Sequence, residues 1–151
     1  MGERWVLVDG YSVLHAWPKL RRAAGRSLEQ QRDALVRVLQ QYGDAQHCRV
    51  TVVFDGYAAT NRPDVVGSTA GVEMLFSEAG KTADDLIERL VAQAEHPDRI
   101  LVVTSDNLER HTVESLGANS MDPALFQAEI AAALGELEAL LHRYKRRRPM
   151  S

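Results

Sequence analysis

Three runs of this chain are apolar almost without interruption, and each ends at an aspartate. Trp5-Val6-Leu7-Val8 leads to Asp9-Gly10, Val50-Thr51-Val52-Val53-Phe54 to Asp55-Gly56, and Ile100-Leu101-Val102-Val103 to Thr104-Ser105-Asp106. A fourth, weaker run covers residues 72–76. A strand with one wet face alternates apolar and polar residues; a strand buried on both faces does not. Helical patterns lie between the runs. Leu35, Val38, Leu39 and Tyr42 recur at i, i+3, i+4 and i+7, which predicts a helix over 28–42. Ala83, Leu86, Ile87, Leu90, Val91 and Ala94 form the cleanest stripe, a further helix is expected over 107–116, and Asp122-Pro123 opens a last one that carries Phe126, Ile130, Leu134, Leu137 and Leu141. Buried strands alternating with helices predict a three-layer α/β/α domain with a mainly parallel central sheet.

At 151 residues there is room for one such domain and little more. A chain of 45% apolar and 26% charged residues is ordinary for a globular protein, which excludes disordered and fibrous designs. The net charge of −3 hides an asymmetry: all 21 acidic residues precede His142, while five of the 18 basic ones (Arg143, Lys145, Arg146, Arg147 and Arg148) follow it. The body carries −8 and the end +5, so a uniformly basic nucleic-acid-binding face is excluded and an acidic body with a basic tail is not. We divide the chain into a domain over 1–142 and a basic tail over 143–151. Arg143 to Arg148 suit either a phosphate-binding arm or a solvated helix end whose cations complement the dipole. The single cysteine, Cys48, permits no internal disulfide, and the apolar run near the N-terminus is too short for a signal peptide or membrane span. A cytoplasmic protein with no membrane partner is the expectation; the oligomeric state is not legible.

In open parallel sheets chemistry gathers at the carboxyl ends of the strands. Asp9, Asp55 and Asp106 stand there, and Asp84-Asp85 occupies the first turn of the helix after the weak strand. Carboxylates brought together on one edge repel one another unless a cation neutralises them, and an oxygen-only ligand set suits Mg²⁺ or Mn²⁺. Each acid also has a plainer reading. Asp-Gly is a turn dipeptide, Thr82 to Asp85 resembles a capping box, and Asp106 with Glu109 is a second possible cap pair. Glu88, one turn beyond Asp84, belongs either to the site or to a solvated face. The long polar segment 56–71 is either a substrate loop or a merely mobile one. Tyr11, His15 and Trp17 follow the first aspartate and suit base stacking; Trp17, next to Pro18, suits a packing anchor as well, and His15 suits a proton donor.

Two other α/β readings fail on sequence. Gly80-Lys81-Thr82 opens a helix like a P-loop, but Leu75 stands where that motif requires its first glycine. A receiver domain would use Asp55 as phospho-acceptor but requires paired acids after the first strand, where Gly10 follows Asp9.

The stretches Val6 to Pro18 (VLVDGYSVLHAWP), Val52 to Asp55 (VVFD), Glu78 to Arg89 (EAGKTADDLIER) and Val102 to Asp106 (VVTSD) together resemble the YacP-like branch of the NYN domain family, which is PIN-like. The resemblance implies a parallel-sheet fold and a metal-dependent endoribonuclease that cleaves single-stranded RNA, with messenger RNA as substrate and the translating ribosome as partner. It implies Asp9, Asp84 and Asp106 as the acidic core binding Mg²⁺ or Mn²⁺, Asp55 as a further catalytic and metal-binding member, and Asp85 as a neighbour. Ser12, Lys81, Thr82, Ser105, Asn107 and Arg62 are the groups expected to meet the substrate. One position departs from the family pattern: Ser12 stands where Asp-Gly-Tyr-Asn is usual, replacing an amide by one short hydroxyl. That change motivates an alternative, a catalytically quiet RNA- or ribosome-binding module of the same fold.

Overall fold

A computed structural model describes residues 3–56, 67–69 and 71–147. Six strands, β1 (Trp5–Asp9), β2 (Arg49–Phe54), β3 (Gly67–Thr69), β4 (Val72–Phe76), β5 (Ile100–Val103) and β6 (Asn119–Met121), form one sheet in the order β3-β4-β2-β1-β5-β6. Five of them run parallel, and β3 pairs antiparallel with β4. The helices are α1 (Gly10–Ala16), α2 (Pro18–Ala24), α3 (Leu28–Gln46), α4 (Ala83–Gln93), α5 (Asn107–Ser115) and α6 (Pro123–Arg147). The α/β architecture expected from the uninterrupted strand runs is the one the chain adopts.

Both faces of the sheet are covered, which explains those runs. Side chains alternate across β1, so Val6 and Val8 pack with Leu35, Leu39, Tyr42 and Phe126 beneath α1, α2, α3 and α6. Leu7 points the other way, into a second cluster with Val53, Ile87, Val91, Val102 and Val113 beneath α4 and α5. Trp17 is a packing anchor: it is buried, its indole N–H donates to the Pro123 carbonyl at 2.9 Å, and its ring stacks 6.2 Å from Phe126. Trp17 is therefore committed to the core and has no face left for a base.

Several elements were not anticipated. The helices α1 and α2 have seven residues each, too few for a periodic signal, and Pro18 separates them by starting α2. Strand β6 has three residues. Helix α3 runs on to Gln46, where His47 closes it in the left-handed conformation (φ 53°). Helix α6 continues through Arg147, so Arg143, Lys145 and Arg146 lie on its exposed last turns. No helix among the described residues is long and apolar enough to cross a membrane.

The chain passes from β1 to β2 on one side and later returns to β5 on the other. The strand order thus reverses beside β1, the place where open α/β sheets form a crevice between the carboxyl ends of neighbouring strands, here β1 and β5. At that edge Gly10 lets α1 start directly over Phe54, a fully buried ring held between Tyr11 (5.0 Å) and Phe76 (5.7 Å). A β-carbon on Gly10 would run into the Phe54 ring. Gly10→Ala should therefore lower unfolding free energy by about 1–3 kcal/mol in denaturant titration; a variant as stable as the parent would contradict this packing.

Candidate functional site

Three carboxylates meet at the crevice, each carried by a different element. Asp9 is the last residue of β1, Asp84 lies in the first turn of α4, and Glu109 lies in the first turn of α5. One oxygen of each lies within 4.8 Å of the others. Asp9 is 9% exposed and Glu109 is 3% exposed. The Asp9 carboxylate accepts hydrogen bonds from the Ser12 N–H at 3.4 Å and the Thr104 hydroxyl at 3.3 Å. Both Glu109 carboxyl oxygens are buried and accept no hydrogen bond among the described residues.

The neighbouring residues hold the two helix starts in place. Asp55, just beyond β2, accepts from the Ala83 N–H at 2.9 Å and so fixes the helix turn that carries Asp84. Thr82 and Asp85 close a capping box on the same turn, with reciprocal bonds of 3.2 and 3.1 Å. Asp106 caps α5 by accepting from Leu108 N–H at 2.9 Å and Glu109 N–H at 3.4 Å. Ser12 ties the turn after β1 to the turn after β5: its hydroxyl accepts from the Ser105 N–H at 2.7 Å and lies 2.6 Å from the Ser105 hydroxyl. A single short side chain thereby closes the crevice across the strand-order reversal.

Electrostatic crowding is concentrated here. Burial, followed by the charge of Asp84, pushes the Asp9 carboxyl up to about 7. Burial and contact with Asp84 push Glu109 up to about 9. Glu88 is also raised, by burial and then by Asp84, Asp85 and Asp106. The two ion pairs among the described residues, Arg4 with Glu129 and Arg49 with Glu73, lie elsewhere. The positive ends of α4 and α5 offset part of the repulsion. A proton or a cation must offset the rest. Three converging hard oxygen donors, one of them with both oxygens unpartnered, fit a divalent cation of the Mg²⁺ or Mn²⁺ kind.

The sequence-predicted residues divide accordingly. Asp9 and Asp84 come together. Asp55, Asp85 and Asp106 lie around them as helix-capping groups and are not in the three-carboxylate group. Ser12 and Ser105 bond to each other, Thr82 is a cap, Lys81 and Asn107 are exposed beside the helix starts, and Arg62 lies outside the described residues. The Gly80-Lys81-Thr82 segment is a turn (Gly80 φ 82°) followed by the α4 cap, with Leu75 and Phe76 in β4, so no phosphate cradle is built. In the sequence Glu109 presents itself only as a cap partner of Asp106. It is free to turn inward because the Asp106 N–H donates to the Thr104 hydroxyl at 3.2 Å, which leaves the returning half of a capping box without a task. The signal was Thr104, a hydroxyl two residues before the cap.

Over residues 6–151 the chain matches the family described as the YacP-like NYN domain. It is 31% identical over 143 residues to the uncharacterized protein YacP of Bacillus subtilis (strain 168), covering 94% of this chain and 79% of that one. It also superposes on two crystal structures of Rae1 (YacP) from Bacillus subtilis. For a tryptophan-to-leucine mutant the TM-score is 0.77 at 30% identity, over 97% of this chain and 86% of that one. For the second structure the values are 0.75 at 28%, over 97% and 83%.

The raised carboxyls fix the sign of a pH dependence. Asp9 and Glu109 hold protons in the folded state above their ordinary values of 3.8 and 4.5, while the unfolded chain has released them. Their stabilising contribution is complete below those values and is lost as pH rises through about 7 and about 9. In EDTA, Glu109→Gln, which keeps the shape and removes the proton uptake that folding requires, should raise the melting temperature more at pH 8 than at pH 5. An equal effect at both pH values would contradict the crowding.

Proposed function

Because the chain belongs to the YacP-like NYN domain family, we propose that it is a metal-dependent endoribonuclease that hydrolyses single-stranded RNA. The observation that carries this reading is the convergence of Asp9, Asp84 and Glu109 from three elements at the strand-order reversal. These three residues would hold Mg²⁺ or Mn²⁺, with Asp106 and Asp85 at the rim. A cation bound there supplies Lewis acidity, neutralises the carboxylates and offsets the negative charge of the phosphodiester.

The remaining residues orient the site. Thr104 donates to Asp9 and receives the Asp106 N–H, so one hydroxyl couples the end of β1 to the start of α5. Asp55 and Thr82 hold Asp84 in register through the first turn of α4. Ser12 acts through Ser105 as a latch between the two turns; it serves here as a positioning residue, compatible with an active site. Glu88, one turn beyond Asp84 and raised by burial and its acidic neighbours, joins Asp106 and Asp85 among the carboxylates we assign to the rim. Lys81, Asn107 and Arg62 are the groups we assign to the RNA strand, and Arg143, Lys145 and Arg146 on α6 add phosphate contacts at a distance. Messenger RNA in the cytoplasm, with the translating ribosome as partner, is the finer form of the proposal and rests on the family resemblance.

Labelled single-stranded RNA incubated with Mn²⁺, with and without translating ribosomes, tests this. The parent should cut it, EDTA should stop cutting, and Asp9→Asn or Glu109→Gln should slow it by more than about 100-fold, since even groups that only support metal ligands cost about 10–100-fold. RNA that is bound in EDTA yet uncut with every divalent cation and with ribosomes would make the protein a binding module instead.

A further inference from the structure

Behind the acidic cluster, on the α1–α3 side of the sheet edge, lies a cavity of about 530 Å³. It is lined by Tyr11, Leu14 and His15 of α1, Arg21 of α2, Leu28 and Gln31 of α3, and Asp55. Its size is within the range of small-molecule sites and accommodates a nucleoside. We propose that this cavity is a nucleobase subsite that receives the base of a nucleotide flanking the scissile phosphate, an inference that rests on the nuclease reading above.

Four observations carry it. The cavity and the cluster share a wall: Asp55 lines the cavity and also accepts from Ala83, whose neighbour is Asp84, while Tyr11 stands two residues after Asp9. The shared Asp55 wall puts such a nucleotide beside the helix turn that carries Asp84. The walls carry flat groups of the kind that stack on bases. The Tyr11 ring is braced against Phe54, and its hydroxyl accepts from Arg32 at 3.1 Å, so its position is set before any ligand arrives; the His15 ring is exposed at the rim. The polar lining offers both kinds of hydrogen-bonding group. Arg21 supplies donors, and its Nε is buried without a partner among the described residues. The second carboxylate oxygen of Asp55 and the side-chain carbonyl of Gln31, whose amide N–H already donates to Gly25 at 3.1 Å, supply acceptors. Finally, Leu14 and Leu28 give the cavity apolar surface, which a base covers and a bare phosphate does not.

The test separates this subsite from the nuclease reading. The ¹⁵N-labelled full chain in EDTA is titrated with the four 5′-mononucleotides and with ribose 5-phosphate as the control that lacks a base. The expected result is saturable shifts of the Tyr11, His15 and Gln31 amides with one or more nucleotides and none with ribose 5-phosphate. His15→Ala, at an exposed position, should weaken binding by about tenfold, within the range measured for loss of one stacking group. With RNA and Mn²⁺, Arg21→Gln should raise KM and keep kcat, with its melting temperature checking that it folds. No saturable shift with any nucleotide, or equal shifts with ribose 5-phosphate, overturns the subsite even if the protein cuts RNA. Nucleotide binding by a protein that leaves RNA uncut supports the cavity as a nucleobase site and overturns the nuclease reading together with the site's place beside a scissile phosphate.

Discussion

The crowding of three carboxylates at the end of β1 is the constraint around which the rest of this fold is arranged. Isolated, such a group would push the strand ends apart, and no protein cation bonds to it among the described residues. What keeps it together is rigid scaffolding. A parallel sheet buried on both faces fixes the strand end, and two helix N-termini aim their partial positive charge at the acids. A ring of second residues, Thr104, Ser12, Ser105, Asp55 and Asp106, spends its hydrogen bonds on holding those elements. The consequence is carboxyls that retain protons near neutrality, and a divalent cation bound there would relieve the same crowding by displacing them.

This arrangement separates aspartates that look alike in sequence. Each follows or opens an element, so each has the same local credentials as a cap or turn. Asp9 does both jobs: its carboxylate caps α1 and faces the crevice. Asp55, Asp85 and Asp106 commit an oxygen to a helix terminus, while Asp84 sits one position into α4, where a carboxylate points off the helix end toward β1.

The central strands are legible because burial on both faces leaves an uninterrupted apolar run, as at Ile100–Val103, and the half-buried Val72–Phe76 leaves a weaker one whose limits the sequence still marks. Elements built from few residues left no such mark. Helices α1 and α2 and strand β6 depend on tertiary partners, such as the Trp17 bond to Pro123, that no local pattern encodes. At the site, Asp9 and Asp84 were visible from strand and helix ends, but Glu109 was hidden by an apparent capping pair. Its inward turn depends on where the Asp106 N–H goes, a contact decided by Thr104 in three dimensions. The role of Ser12 was equally invisible, since its partner Ser105 is 93 residues away.

The central claim is that Asp9, Asp84 and Glu109 form one divalent-cation site. Titration of Mn²⁺ into the parent, Glu109→Gln and Asp106→Asn, followed by the loss of the free-ion paramagnetic resonance signal, addresses it without reference to catalysis. The account predicts saturable binding by the parent, weakened by at least about tenfold in Glu109→Gln and less in Asp106→Asn, whose carboxylate is engaged in capping α5. Absence of saturable Mn²⁺ binding in the parent, or binding that Glu109→Gln leaves unchanged, would contradict it.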